Sequence, residues 1–298
     1  MPNAFGFSSR RWRRYRRFRR CSLKRWMRHN RCLKTISYVG ITDVATMRTD
    51  FMPDRTTAIQ LVGAIRLLVA DFNGRSTTRV IGTGGRSFEF FPTAITDNIP
   101  PLEPGLSHAV CLLSRFHLEH VAEATLGVGE EDRGAMIISD ILLSHNLART
   151  LARWTPTGAP GEIRVPLANE YVQEGSVEIY LNGVTANDRV ILVDDLISTG
   201  GTLVSLVRAI RQSGAEILEI FTIGEKSENG GREHLFRETG QTIKTLLRTS
   251  LEKLEGKVFS KVDQVHLGRM PAQLAEEVAS YFSPGFCIFG SGGDSGSI

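Results

Sequence analysis

The fold is decided by one stretch of the chain, Val190-Ile191-Leu192-Val193-Asp194-Asp195-Leu196-Ile197-Ser198-Thr199-Gly200-Gly201-Thr202. Its four leading aliphatic residues predict a buried central strand, and two acids follow where the apolar run stops. In an open parallel sheet, ligands bind at the carboxyl ends of the strands, so we expect Asp194 and Asp195 to face a ligand. Two adjacent carboxylates can accept hydrogen bonds from vicinal hydroxyls, such as those of a ribose.

A small, polar, glycine-rich segment follows the two acids. Gly200 and Gly201 let successive backbone N–H groups turn toward one point. The hydroxyls of Ser198, Thr199 and Thr202 and the N-terminus of a following helix complete a cradle for a phosphate. An ordinary strand cap and turn would explain the acids or the glycines alone. It would not explain their order, so we predict a sugar-phosphate site.

The surrounding residues alternate between short apolar runs and helical patterns, which is typical of strand and crossover-helix units in a parallel sheet. Helical spacing over 56–72 predicts a helix that buries Ile59, Val62, Ile65, Leu68, Val69 and Phe72. A second helical pattern includes Leu106, Val110, Leu113 and Val121. The other predicted elements are strands at 125–128, 149–154, 190–193 and 216–223, an edge segment at 177–180, and helices at 135–147 and 203–212. The fold class is therefore α/β, with an open, mostly parallel sheet flanked by helices.

Composition excludes several classes of protein. The chain has 298 residues, 41% hydrophobic and 23% charged, which suits a sizeable globular core. Its four cysteines lie far apart with no metal-site spacing, so neither a disulfide framework nor a structural zinc is indicated. No apolar run is long enough to span a membrane, and no secretory signal is visible. We expect a cytoplasmic protein.

Positive charge is concentrated in residues 1–46. This segment has thirteen Lys and Arg and one acid, a charge of +12, which leaves −8 for the rest of a chain whose formal net charge is +4. Its aromatic-interleaved run RWRRYRRFRR could contact nucleic acid or target an organelle. The simpler interpretation is an upstream extension of the reading frame or a disordered leader. We therefore expect nucleic-acid binding only through this tail, if at all.

The decisive stretch resembles the PRPP (5-phosphoribosyl 1-pyrophosphate) signature of type I phosphoribosyltransferases, and more of the chain resembles their adenine branch. The similarity covers roughly residues 88–248, and its motifs occur in the family's order. They are Phe91-Pro92 and Thr96-Asp97-Asn98-Ile99-Pro100, the pyrophosphate loop Gly129-Glu130-Glu131-Asp132-Arg133-Gly134, Pro160-Gly161 with Asn169-Glu170-Tyr171, and Glu225 with Gly231-Arg232-Glu233-His234-Leu235.

The resemblance implies an enzyme of purine salvage that joins a purine to PRPP and releases pyrophosphate, with adenine as the expected base and Mg²⁺ as cofactor. It also implies a small hood region and a homodimer. The expected catalytic residues are Glu170, Arg133 and Arg153, with Glu170 as acid or base for a purine nitrogen; Glu170 could equally be a solvated loop carboxylate. The expected PRPP-binding residues are Asp194, Asp195, Ser198, Thr199, Gly200, Gly201, Thr202, Glu131 and Asp132.

No metal ligand is assigned directly, because Mg²⁺ is expected to bind through PRPP, with Asp194 and Asp195 as candidate contacts. Lys226, just past a strand, is a candidate to read an oxo group on the base, although a solvated lysine is the simpler interpretation. We expect a leader at 1–46, a phosphoribosyltransferase-like domain at 47–250, and an extension at 251–298 with a helix and a flexible Gly/Ser tail.

The sequence departs from the family in its flexible loop, where Arg153 is the only cation from Arg153 to Gly161. Fewer cations would weaken stabilisation of the departing pyrophosphate. This leaves open a PRPP-binding regulator without transferase activity. A phosphoribosyltransferase that uses a 6-oxopurine or a pyrimidine is a second alternative. A smaller departure is Ala135, where the family usually has Phe after Arg-Gly, which we interpret as a change in packing.

Overall fold

The structure is a computed structural model that describes residues 55–81, 85, 87–167, 177–283 and 286–289. These residues belong to a unit spanning Met52–Ile298. The leader at 1–46 and Glu170 lie outside the described residues. The helices are α1 (Arg55–Phe72), α2 (Ala94–Asp97), α3 (Pro104–Ser114), α4 (Ala135–Ser144), α5 (Gly201–Gln212), α6 (Gly231–Thr239) and α7 (Ala272–Ser280).

The strands are β1 (Thr78–Ile81), β2 (Ser87–Phe90), β3 (Leu126–Glu130), β4 (Ala148–Ala152), β5 (Ile163–Pro166), β6 (Glu178–Leu181), β7 (Arg189–Ile197), β8 (Glu216–Lys226), β9 (Lys244–Leu254), β10 (Lys257–His266) and β11 (Cys287–Phe289). Seven of them form one sheet in the order β11-β10-β9-β8-β7-β3-β4. Its neighbours pair in parallel except β9 and β10. The predicted mostly parallel α/β sheet is confirmed.

Strand β7 lies inside this sheet, between β3 and β8, and is covered on both faces. Its side chains alternate between two cores, as the period-two geometry of a strand requires. Ile191 and Val193 pack with α1, α3, α4 and α7, and Val190 and Leu192 pack with α5 and the β5–β6 pair. The continuous apolar run is therefore what a doubly covered parallel strand needs. The strand is longer than predicted and includes both acids.

Helix α1 forms where the helical spacing predicts it, but one predicted core residue is wrong. Val62, Ile65, Leu68 and Phe72 are buried and Val69 is partly buried, whereas Ile59 is 53% exposed. Ile59 lies at the edge of the apolar stripe, where a small shift of the helix decides between core and solvent.

Two small pairs of strands stand apart from the main sheet. The β1–β2 hairpin is antiparallel and touches β10 through a bridge between Ser76 and Phe259. The predicted edge segment at 177–180 pairs as β6 with β5, and an isolated bridge between Arg153 and Tyr180 links it to the end of β4. It is therefore an edge of a separate two-stranded sheet and does not extend the main one.

The segment after residue 250 continues the main sheet. The expected domain boundary falls inside β9, and β10 and β11 extend the sheet beyond it. Helix α7 corresponds to the helix expected there. In the described part of the chain, no helix is both long and apolar enough to cross a membrane.

Candidate active site

Two acids lie near the end of the central strand, at the carboxyl edge of the sheet. Asp194 is 6% exposed, and Asp195 is half-buried. The Asp195 backbone N–H donates to the Asp194 carboxylate over 3.0 Å. Burial, together with the neighbouring charge of Asp195, raises the pKa of Asp194 well above its usual range. A bound group that donates hydrogen bonds or carries positive charge would therefore stabilise the ionised form of these carboxylates.

The glycine-rich segment forms a turn that leads directly into α5. Gly200 is the N-cap of α5 and has a φ of 84°, in the left-handed region that glycine adopts without strain. An added Cβ would lie 2.6 Å from the carbonyl oxygen of Gly231. Among the described residues no side chain caps this helix end, so its N–H groups can bind an anion.

A third acid, Glu130, lies at the end of β3, next to β7 in the sheet. It is 8% exposed, and the indole N–H of Trp154 donates a hydrogen bond to its carboxylate. Burial, followed by the charges of Asp194 and Asp132, raises its pKa to about 8. Burial and the charge of Glu130 in turn raise the pKa of Asp195 to about 7. The buried carboxylates of the site therefore raise one another's pKa, and a bound cation would relieve their repulsion.

Arg133 is the cation that follows this cluster. Its guanidinium lies 3.6 Å from Asp97 and 4.7 Å from the centre of the Phe90 ring, and its side chain is 55% exposed. Gly134 follows, and a Cβ there would lie 2.5 Å from the Cβ of Asp195. The Arg-Gly pair of the predicted pyrophosphate loop therefore places a cation beside the acids and lets the backbone pass close to them.

Asp71 fixes the segment that carries Asp97. This buried carboxylate accepts hydrogen bonds from the backbone N–H groups of Ala94 and Ile95 at 2.9 and 3.1 Å. It thereby holds the first turn of α2, where unpaired N–H groups need acceptors. Sequence reasoning did not identify Asp71, because its partners lie on a separate segment.

Glu131 contacts residues at the start of the 154–162 loop. Its carboxylate lies 3.3 Å from the Arg153 guanidinium and accepts a 2.8 Å hydrogen bond from the Trp154 backbone N–H. Glu131 was predicted to bind PRPP and Arg153 to be catalytic, and the structure pairs them with each other. Arg153 is 45% exposed, so exchanging this partner for a ligand anion costs little.

Lys226, the last residue of β8, is buried. It is 4% exposed, so the interpretation of this residue as a solvated lysine is wrong. Its ammonium lies 4.6 Å from the centre of the Phe91 ring and donates to the Glu89 carbonyl at 3.3 Å. Burial lowers its pKa, while the charges of Glu228, Asp97 and Asp195 oppose that shift.

The structure thus gathers most of the predicted residues at one edge of the sheet. Asp194 and Asp195 lie near the end of β7, the stretch from Ser198 to Thr202 leads into α5, and the loop from Glu131 to Arg133 follows β3. Glu130 and Lys226 join them. Glu130 was predicted only as part of the pyrophosphate loop, although its position after the apolar residues Leu126 and Val128 resembles that of Asp194.

Carboxylates of this kind suit a hard divalent cation. Mg²⁺ prefers oxygen ligands and is commonly held by one or two carboxylates together with substrate phosphates. Within the described ranges, no group of three or more His, Cys, Asp or Glu side chains could hold a metal by itself. Asp194 and Asp195 therefore fit a magnesium ion whose remaining ligands come from a bound phosphate compound.

Comparisons with known proteins agree with this geometry. A family model described as phosphoribosyl transferase domain matches residues 162–235. A hypoxanthine/guanine phosphoribosyltransferase of Methanocaldococcus infernus is 33% identical over 175 residues, which are 58% of this chain and 91% of that protein. Its namesake in Methanothermus fervidus is 29% identical over 175 residues, 58% of this chain and 88% of that protein.

Among solved structures, the adenine phosphoribosyltransferase of Trypanosoma brucei, in complex with AMP, pyrophosphate and ribose 5-phosphate, superposes with a TM-score of 0.50. It is 21% identical, and the match covers 62% of this chain and 79% of that one. At this identity the likeness shows the fold alone. Sheet, acids and glycine-rich turn define the class of type I phosphoribosyltransferases. On the identity and coverage of its relatives, the chain belongs to this family of enzymes.

Proposed function

We propose that the chain transfers the phosphoribosyl group of PRPP to a purine, with a 6-oxopurine as the preferred base. The observation that carries the choice of base is the buried ammonium of Lys226 beside the site acids. The proposal is made of two parts: a PRPP subsite at the ends of β3 and β7, and a base subsite at the end of β8.

The PRPP subsite acts by positioning and by charge. Asp194 and Asp195 would accept the ribose hydroxyls, and the turn from Ser198 to Thr202 would hold the 5′-phosphate. A bond from a base nitrogen to the anomeric carbon forms as the bond to the pyrophosphate oxygen breaks, and the electron pair leaves with pyrophosphate. Arg133 and Arg153 would stabilise that developing charge. Mg²⁺, when bound with PRPP, supplies further positive charge there.

The base subsite includes Lys226, whose ammonium has more hydrogen-bond donors than acceptors around it. An ammonium has three donors, and among the described residues the structure gives it one acceptor, the Glu89 carbonyl. It also lies 4.6 Å from the centre of the Phe91 ring and 5.9 Å from that of the Phe90 ring. A buried cation needs acceptors, and the 6-oxo group of hypoxanthine or guanine would supply one. The 6-amino group of adenine would place a donor there instead.

Other observations bear on the alternatives. The named relatives are hypoxanthine/guanine enzymes, which supports a 6-oxopurine; the resemblance of the motifs to the adenine branch supports adenine as second candidate. Family membership supports catalysis over a regulator without activity. Glu170 remains a proposed acid or base for the purine nitrogen.

A base panel tests the choice. The full chain is incubated with PRPP, Mg²⁺ and hypoxanthine, guanine, adenine or orotate, and pyrophosphate release is followed. We expect the two 6-oxopurines to give the highest kcat/KM. Replacement of Lys226 by Met removes the charge but keeps much of the apolar stem. A lost charged hydrogen bond is worth about 1.5 to 3 kcal/mol, roughly 10- to 150-fold in kcat/KM for hypoxanthine.

Two outcomes of the base panel would contradict the proposal. Faster turnover with adenine, unchanged by Lys226→Met, would replace the 6-oxopurine with adenine. A loss in the variant that appears in the KM for PRPP and equally with every base would instead assign Lys226 to the pyrophosphate. Lys261→Met on β10, where the lysine is 53% exposed, is the matched control. It should leave all rates unchanged.

A further inference from the structure

The turn that begins α5 is supported from one side by the segment that follows β8. A short 3₁₀ turn, Ser227–Asn229, leads into α6, and three contacts join this segment to the turn. The Asn229 side-chain amide donates to Ser198 Oγ over 2.7 Å. His234 Nδ1 lies 2.7 Å from the Thr199 carbonyl oxygen. A Cβ on Gly231 would overlap the carbonyl oxygen of Ser198, so the two backbones meet directly.

The contact from Asn229 decides which way the Ser198 hydroxyl points. A serine hydroxyl has one proton to donate and two lone pairs to accept with. Because Asn229 donates, one lone pair is occupied and the proton is directed away from the asparagine. The hydroxyl then keeps its proton for a ligand on the open side of the turn. An anion on that side of the turn therefore meets the hydroxyl proton and accepts a hydrogen bond from it, and no oxygen lone pair faces the anion.

The contact from His234 orients a peptide group in a similar way. A carbonyl oxygen only accepts, so the His234 ring nitrogen must donate its proton to Thr199. In a trans peptide the C=O and the following N–H point in opposite directions. With the Thr199 carbonyl fixed toward α6, the Gly200 N–H is turned away from α6. Asn229 and His234 therefore orient two donors of the turn, the Ser198 hydroxyl and the Gly200 N–H.

We propose that Asn229 and His234 are positioning residues that hold the Ser198 hydroxyl and the Gly200 N–H as donors to the phosphate of the ribose substrate. The proposal rests on the proposed function, because that function identifies the anion. Neither residue contacts the anion itself. Their effect is on affinity for the 5′-phosphate, so it should appear with any ligand that carries this group.

Asn229→Asp is the decisive substitution because it nearly preserves shape and reverses the hydrogen bond. An aspartate accepts the Ser198 proton, which turns a lone pair toward the anion and adds a negative charge nearby. We expect at least a tenfold loss in affinity for ribose 5-phosphate and PRPP by calorimetry, about the effect of one charged hydrogen bond. The KM for PRPP should rise while the KM for the base stays the same.

His234 gives a test by rescue. His234→Leu removes the donor, whereas His234→Asn places an amide N–H near the position of Nδ1. We expect the leucine variant to lose about tenfold in ribose 5-phosphate affinity and the asparagine variant to recover most of it. Equal losses in both variants, or none in either, would overturn the role of His234. This pair also carries the test if Asn229→Asp does not fold.

Asn187→Asp is the matched control, since it adds the same charge at an exposed residue whose backbone N–H, which the substitution keeps, donates to Thr185 Oγ1. If Asn229→Asp binds ribose 5-phosphate as the wild type does, or loses no more than Asn187→Asp, the role of Asn229 is wrong and the proposed function stands. If the wild type binds neither ribose 5-phosphate nor PRPP, the proposed function fails first and this proposal with it.

Discussion

Replacing Glu130 with Gln should flatten the pH dependence of stability of the ligand-free protein. Burial and nearby carboxylates raise the pKa of Glu130 from 4.5 to about 8. For an acid raised in this way, the folded state binds more protons than the unfolded state between those values. Its contribution to stability is therefore fully present below pH 4.5 and is lost as the pH rises through 8.

The size of the effect follows from the same pKa shift. Each pKa unit is worth about 1.4 kcal/mol, so the rise from 4.5 to about 8 sets an upper bound of about 5 kcal/mol. Part of this rise comes from the charge of Asp194, whose own pKa is also raised, so we expect about 2 kcal/mol at pH 8.5. Glutamine keeps an oxygen that can accept from Trp154 and carries no charge. The variant should gain about 4 to 8 °C in Tm at that pH.

The assay is thermal unfolding of wild type and variant from pH 4.5 to 8.5, without ligand. The difference in Tm should grow as the pH rises, and Mg²⁺ with PRPP should reduce it by neutralising the acids. Glu252→Gln, on an exposed part of β9, is the control and should give a constant difference. If the difference in Tm between Glu130→Gln and wild type stays constant or shrinks with rising pH, Glu130 does not carry a destabilising buried charge at high pH.

Two further predictions concern the glycine-rich turn and the leader. Gly200→Ala should weaken PRPP binding at least tenfold, because a residue with a Cβ pays about 1 to 2 kcal/mol at a φ of 84° and this Cβ would meet the Gly231 carbonyl. Gly63→Ala, with open space around the added Cβ, is the control. Equal PRPP affinity in the two variants would contradict the prediction. A chain starting at Met47 should fold and bind PRPP with unchanged affinity, as calorimetry would measure. In it, Trp154 is the one tryptophan left, so its fluorescence should change as PRPP and Mg²⁺ bind; insolubility or lost binding would assign the leader to the fold.

Strand β7 and the turn before α5 could be predicted because neighbouring residues in the sequence determine both. The run from Val190 to Val193 needs burial on both faces, and the glycine at 200 has the positive φ that the turn requires. Both properties can be read from neighbouring residues.

The properties of Lys226 and Glu130 could not be predicted in this way. Lys226 is buried because Phe91 and the Glu89 carbonyl, from a distant segment, lie over it. Glu130 has a raised pKa because a neighbouring strand places Asp194 beside it. Burial and electrostatic coupling arise from tertiary neighbours, and one sequence does not reveal which segments meet.

The contact between α1 and β10 has a consequence for synthesis of the protein on the ribosome. The Ser260 hydroxyl donates to the Phe72 carbonyl at the end of α1, and Val262 N–H donates to Asn73 Oδ1. The first described helix is thus secured by one of the last strands to be translated. Helix α1 can pack early against α3, but most of the described domain must leave the exit tunnel before β10 covers the rest of its apolar face. Such sequence-distant closure slows folding, because a long loop must close before these contacts can form.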